Sequence, residues 1–171
     1  MNKKIQKIVF SALFAGLVFC ATFFLKFSMP IGYFHLGDCF VITAAWMLGP
    51  VYGSIAAALG SALADLIGGY PQYMLATFII KGLFALVAWC IFRCVGKKRV
   101  TIPCIMLSGV IGSIVMAFGY YIVESVFLAY GFAAALAAVI PNILQGLFGA
   151  VSATILIKVM SKNKYLGEHF K

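Results

Sequence analysis

Three of the four acids in this 171-residue chain, Asp38, Asp65 and Glu124, stand at the ends of stretches that read like lipid. An ionisable side chain at membrane depth is costly and marks a functional site or a buried pair. Lys81, Asn142 and Gln145 add one cation and two amides inside otherwise apolar runs. Carboxylates accept hydrogen bonds or balance positive charge, amides fix the orientation of a ring, and a lysine takes an anionic or phenolate oxygen. Such a set suits reversible capture of a small polar molecule. Catalysis asks for more. His35 and Asp38 are three apart and can share a helix face, but no third partner is visible and no catalytic residue is expected. Cys90 and Cys94 also share a face, yet the only histidines, His35 and His169, are far from them in sequence. A zinc site lacks its usual ligands, so no metal is expected. The five cysteines read as small hydrophobes.

The elements that must position these groups follow from composition. Hydrophobic residues make up 64% of the chain and charged residues 10%, with a mean hydropathy of +1.10. Soluble domains are roughly half apolar and a quarter charged, so this is an integral membrane protein. No stretch is polar enough for a soluble nucleotide-binding domain, no phosphate-binding glycine loop is present, and no cofactor is implied. A pI near 9.5 does not point to nucleic acid, because the basic residues cluster at the ends of apolar segments, where they set topology. The basic start followed by an apolar run resembles a signal peptide. Residues 8–25 are nevertheless long enough to span and lack a convincing cleavage site, so a retained helix is expected.

A single membrane domain over 1–171 is expected, with segments at about 8–27, 36–49, 51–68, 73–93, 102–125 and 133–160. The uncharged run 39–64 is the ambiguous one. As one straight helix it would be roughly 39 Å long, against a hydrocarbon core of about 30 Å. It contains LGPVYG at 48–53, where Pro50 disfavours helical geometry at Gly49. Basic clusters fall at Lys3/Lys4/Lys7, at Arg93/Lys97/Lys98/Arg99 and at Lys158/Lys162/Lys164/Lys171. All three are cytoplasmic only if even numbers of crossings separate them, and a break at LGPVYG supplies the missing one. The expected fold is all-α: six transmembrane helices in a compact bundle, both termini cytoplasmic.

In that topology Asp38, Asp65, Lys81, Glu124, Asn142 and Gln145 gather in the outer half of the bundle. Each also has a local reading. Asp38 can cap the helix it begins, Lys81 can snorkel or pair with an acid, the amides can bond between helices, and Glu124 can sit at the interface. An outward-facing polar pocket explains them jointly. Tyr73 and Tyr121 are candidate stacking partners for a flat ring. Small-xxx-small spacings, Ala12/Gly16 and Ser11/Ala15 on the first segment and Ala56/Gly60/Ala64 on the third, let helices approach closely.

Residues 32–89 carry H-L-G-D at 35–38, L-G-P-x-x-G at 48–53, A-D-L-I-G-G-Y at 64–70 and T-F-I-I-K-G at 77–82. This third of the chain resembles the substrate-binding S components of energy-coupling factor (ECF) vitamin transporters, most of all the riboflavin-type branch. The resemblance implies a plasma-membrane protein of a prokaryote that binds one vitamin or precursor from outside. A separate module, a membrane coupling subunit and two ATPases, would supply the energy. It implies a docking face at Ala12, Ala15 and Gly16, and a lid over Phe27–Leu36 that includes Tyr33, Phe34 and His35. The acids favour a neutral, zwitterionic or cationic ligand such as a B6 vitamer or hydroxymethylpyrimidine, with riboflavin also within the branch. A self-sufficient proton-coupled carrier is the alternative, although no internal repeat of the kind such carriers use is visible.

Overall fold

The computed structural model describes residues 2–28, 33–96 and 101–162. The basic residues Lys97, Lys98, Arg99, Lys164 and Lys171 and the central lid positions 29–32 lie outside that range, as do the side chains of Tyr33 and Phe34. Helix α1 (Lys3–Phe24) starts on Asn2, whose side-chain oxygen accepts the Lys4 N–H at 3.0 Å. A short antiparallel hairpin follows, β1 (Lys26–Ser28) and β2 (Tyr33–His35), with Lys26 opposite His35. Then come α2 (Gly37–Ile67), α3 (Pro71–Gly96), α4 (Ile102–Ile122) with one π-helical turn (Val123–Phe127), and α5 (Phe132–Ser161). Among the described residues, five helices are long and apolar enough to cross a membrane.

The second of these is not one rod. Its 31 residues would extend about 46 Å if straight. Gly49 interrupts it at φ 84°, a conformation glycine adopts without steric cost, and Pro50 follows. The two halves then fold back on each other: a Cβ built on Gly53 would lie 2.7 Å from the Ala44 carbonyl oxygen, nine residues earlier. Both ends of α2 return to the same end of α1. A Cβ on Gly37 would strike the Thr22 hydroxyl, and one on Gly68 would lie 3.5 Å from Lys26 Nζ. We refer to this as the hairpin end of the bundle.

Lipid tails are as apolar as leucine, so close packing rather than hydrophobicity holds membrane helices together. Gly60 of α2 lies against the Ala15 carbonyl and Val18 of α1. At the α2–α5 contact, a Cβ on Gly149 would come 2.7 Å from the Asp38 Cβ. Val41, Ile42, Phe84, Ile105, Met116 and Ile157 fill the interior, while Phe118, Phe127, Ile140 and Ile155 project outward, as a lipid-facing surface requires.

Candidate functional site

A cavity of about 350 Å³ opens among α1–α5 at the hairpin end. Helical spacing decides which side chains reach it, because positions three and four apart share a face. On α3 these are Tyr73, Thr77 and Lys81; on α2, Ser61 and Asp65; on α4 and its π turn, Tyr120 and Glu124; on α5, Ala134, Ala138, Asn142 and Gln145. Thr22 of α1, His35 of β2 and Tyr70 of the α2–α3 turn complete the wall.

At the base of the site Lys81 is 1% exposed and Asp38 is fully buried. Lys81 Nζ donates to Asp38 Oδ1 in the only ion pair among the described residues, and also reaches Met116 Sδ at 2.9 Å. Gln145 Nε2 donates to the other carboxylate oxygen of Asp38 at 2.8 Å. Asp38 thus joins α2, α3 and α5 through one carboxylate. This corrects two expectations. Asp38 does not cap its helix, whose N-cap is Leu36 with no side-chain bond. Nor does it line the cavity; it lies behind Lys81 and Gln145 and holds them. Lys81 does not snorkel, because its charge is matched in place.

The other two acids face the cavity, and neither forms an ion pair among the described residues. Glu124 is buried on the π turn. It accepts a hydrogen bond from Tyr73 Oη at 3.3 Å. The turn closes i to i+5, the Leu128 N–H donating to the Val123 carbonyl at 2.9 Å, and π turns of this kind recur at functional sites. Tyr73 and Tyr120 have ring centroids 6.5 Å apart, and Tyr120 Oη shares a 2.9 Å hydrogen bond with Thr77 Oγ1. Asn142 follows Pro141, and its amide donates to the Ala138 carbonyl of its own helix at 3.0 Å. It is therefore not bonding between helices through that group.

His35 is buried against this site, and its Nδ1 accepts the Gly37 N–H at 3.1 Å. An accepting Nδ1 places the ring proton on Nε2 of a neutral imidazole. Burial pushes its pKa down to about 3, with the nearby Lys81 charge acting in the same direction. Lys26 ties the hairpin to the neighbouring turn, its Nζ lying 5.3 Å from the Phe23 ring centroid and 5.9 Å from that of Tyr70.

Of the sequence-based candidates, Asp65, Lys81, Glu124, Asn142, Gln145 and Tyr73 meet at the cavity. Tyr121 does not. It lies in a separate apolar groove with Ile114, Phe118 and Leu136, its ring 6.4 Å from that of Phe132. One residue along a helix is a rotation of about 100°, and Tyr120 takes the inward place. Ala12 and Gly16 are exposed on α1, but Ala15 is partly buried and packs against Gly60. Thr22, Ser61 and Thr77 are not among the sequence-based candidates, and Tyr120 stands where Tyr121 was expected. The four-residue spacings Ser61/Asp65, Thr77/Lys81 and Tyr120/Glu124 would have found three of them.

Fold and site define a class: an all-helical membrane protein with a polar binding cavity between its helices. The chain belongs to the ECF-type riboflavin transporter S-component family, whose sequence model matches residues 2–162. It is 28% identical over 168 residues to the thiamine precursor transporter HmpT of Lactococcus lactis subsp. cremoris, covering 96% of this chain and 93% of that one. It is also 36% identical over 121 residues to an uncharacterized protein encoded in the gap 3′ region of Pyrococcus woesei, covering 70% of this chain and 76% of that protein. Two solved structures share the fold. The S component of a bacterial ECF transporter superposes with TM-score 0.74 at 22% identity, over 93% of this chain and 97% of that one. The S component for biotin from an ECF-type ABC transporter does so with TM-score 0.70 at 16% identity, over 99% and 98%.

Proposed function

We propose that this S component captures a small heteroaromatic vitamin precursor bearing an amine or ring nitrogen, and hands it to a separate ATP-driven module for import. The carrying observation is the charge of the cavity. Lys81 is matched by Asp38, which leaves Asp65 and Glu124 facing the space, beside a tyrosine pair suited to a flat ring. A ligand that donates hydrogen bonds or carries positive charge complements that wall; a ligand rich in carboxylates does not. The volume, about 350 Å³, is at the small end of the range of roughly 300–1,000 Å³ for ligand sites. That favours a single-ring compound such as hydroxymethylpyrimidine or a B6 vitamer over riboflavin. The likeness to a thiamine precursor transporter points the same way.

In this reading the chain makes six crossings, with the hairpin end outside and both termini in the cytoplasm of a prokaryotic cell. The hairpin with Tyr33, Phe34 and His35 is the lid, and Ala12 and Gly16 on the exposed face of α1 meet the coupling subunit. The test is gentle purification, denaturation and mass spectrometry of the released small molecule. A stoichiometric single-ring heteroaromatic is expected, and Asp65→Asn should weaken its rebinding about tenfold or more. A carboxylate-rich ligand, or unchanged affinity in Asp65→Asn, would overturn the reading.

A further inference from the structure

A membrane helix satisfies a serine or threonine hydroxyl by turning it back onto a carbonyl of its preceding turn. This chain does so repeatedly. Thr43 donates to the Cys39 carbonyl at 2.7 Å, Ser108 to Ile105 at 2.7 Å, Ser113 to Gly109 at 2.6 Å and Thr154 to Ala150 at 2.7 Å. Thr22 and Ser61 break the pattern. They are 4% and 1% exposed, and neither hydroxyl has a hydrogen-bond partner among the described residues. Both line the cavity. Ser54 also carries an unpartnered hydroxyl but lies away from the site. A buried hydroxyl without a partner is costly, so two of them on one binding wall call for a common explanation.

Their placement supplies it. Gly60 packs on Ala15 and Val18, which sets Ser61 near the level of Val18 and puts Thr22 one helical turn, about 6 Å, further along. Ser61 and Asp65 are four apart on the same face of α2. Thr22, Ser61 and Asp65 therefore form one polar edge of the cavity along the α1–α2 seam.

We propose that Thr22 and Ser61 are specificity-determining ligand contacts. Their hydroxyls bond an uncharged polar group, a hydroxyl or a ring nitrogen, on the same ligand whose amine Asp65 accepts. Since a hydroxyl both donates and accepts, the pair reads the presence of that group rather than its polarity. An analogue with a methyl in its place leaves both hydroxyls orphaned and is rejected, as happens at sites built to hydrogen-bond a substrate. The inference rests on the binding-subunit reading.

The test is calorimetric titration of the full chain in detergent with hydroxymethylpyrimidine and with its analogue lacking the hydroxyl. Wild type should prefer the hydroxylated compound by about 10- to 100-fold. Thr22→Val and Ser61→Ala should each lose about tenfold for it and far less for the analogue, and Thr22→Ser should restore the loss. Thermal midpoints within a few degrees of wild type identify variants that fold. If wild type binds another ring vitamin instead, the same variants are titrated with that compound. Binding by wild type with both variants within about twofold overturns this inference alone. No binding by wild type across a B-vitamin panel overturns it together with the proposed function.

Discussion

The Asp38–Lys81 pair shows how a single side-chain contact decides whether an acid belongs to the ligand or to the protein. In low dielectric an isolated charge costs several kcal/mol, and removing one partner of a buried pair strands the other. Lys81→Met and Asp38→Asn should each destabilise the protein by about 3–5 kcal/mol, read as a fall in the thermal midpoint in detergent. The double variant should recover much of the loss, since neither charge remains. A double variant no better than the singles would show that the pair is not what stabilises the base of the site. The tyrosines give a second prediction at this scale. Tyr120→Ala removes a ring that faces the cavity and should weaken ligand binding about tenfold, whereas Tyr121→Ala, on the neighbouring groove, should leave affinity unchanged. The sequence reading chose Tyr121, the one of the two that faces away from the cavity. The helix phase was nevertheless present in the spacing of Tyr120 and Glu124.

At the scale of elements, the break in α2 was legible because a local rule, glycine before proline inside an overlong apolar run, coincided with a global one, the parity of basic clusters. The π turn was not legible, because Val123–Phe127 carries no residue that a regular helix would refuse. The hairpin yields a pH prediction. His35 is held neutral, with a pKa near 3, and an imidazole released to water regains about 6.5. If the hairpin opens as the proposed lid, its closed form keeps its full stability above about pH 6.5 and loses it as pH falls, because only the opened form takes up the proton. Lys81 and Lys26 oppose protonation in the closed state and Asp38 favours it, with burial the largest cause. Ligand affinity should fall by up to about 30-fold between about pH 7.5 and pH 5. His35→Asn should flatten that dependence. A profile identical in wild type and variant would assign the pH effect to Asp65 or Glu124 instead.

For the molecule as a whole, α2 does the organising. By folding back at Gly49 it brings Asp38 and Asp65 to one end of the bundle and gives α1, α3 and α5 a shared neighbour. Composition announced a membrane protein and charge announced a pocket, but the α1–α2 seam was invisible in sequence. It depends on Gly60 meeting Ala15, and small-xxx-small spacings are too common to name their partner. A binding subunit and a self-sufficient carrier differ at this scale in topology and in what the chain does alone. In a cysteine-free background, Gly69→Cys in the α2–α3 turn should react with an impermeant maleimide added outside intact cells. Asn2→Cys should react only after permeabilisation. A straight α2 would reverse the first result relative to the second, since one fewer crossing would precede the turn. Proteoliposomes holding this chain alone should retain labelled ligand at its binding stoichiometry and accumulate none under a pH gradient. Uptake should appear only when a coupling subunit and its ATPases are added with ATP. Gradient-driven accumulation by the chain alone would mean that Asp65, Lys81 and Glu124 relay protons, and the buried Asp38–Lys81 pair would then be the first place to look for the step that moves them.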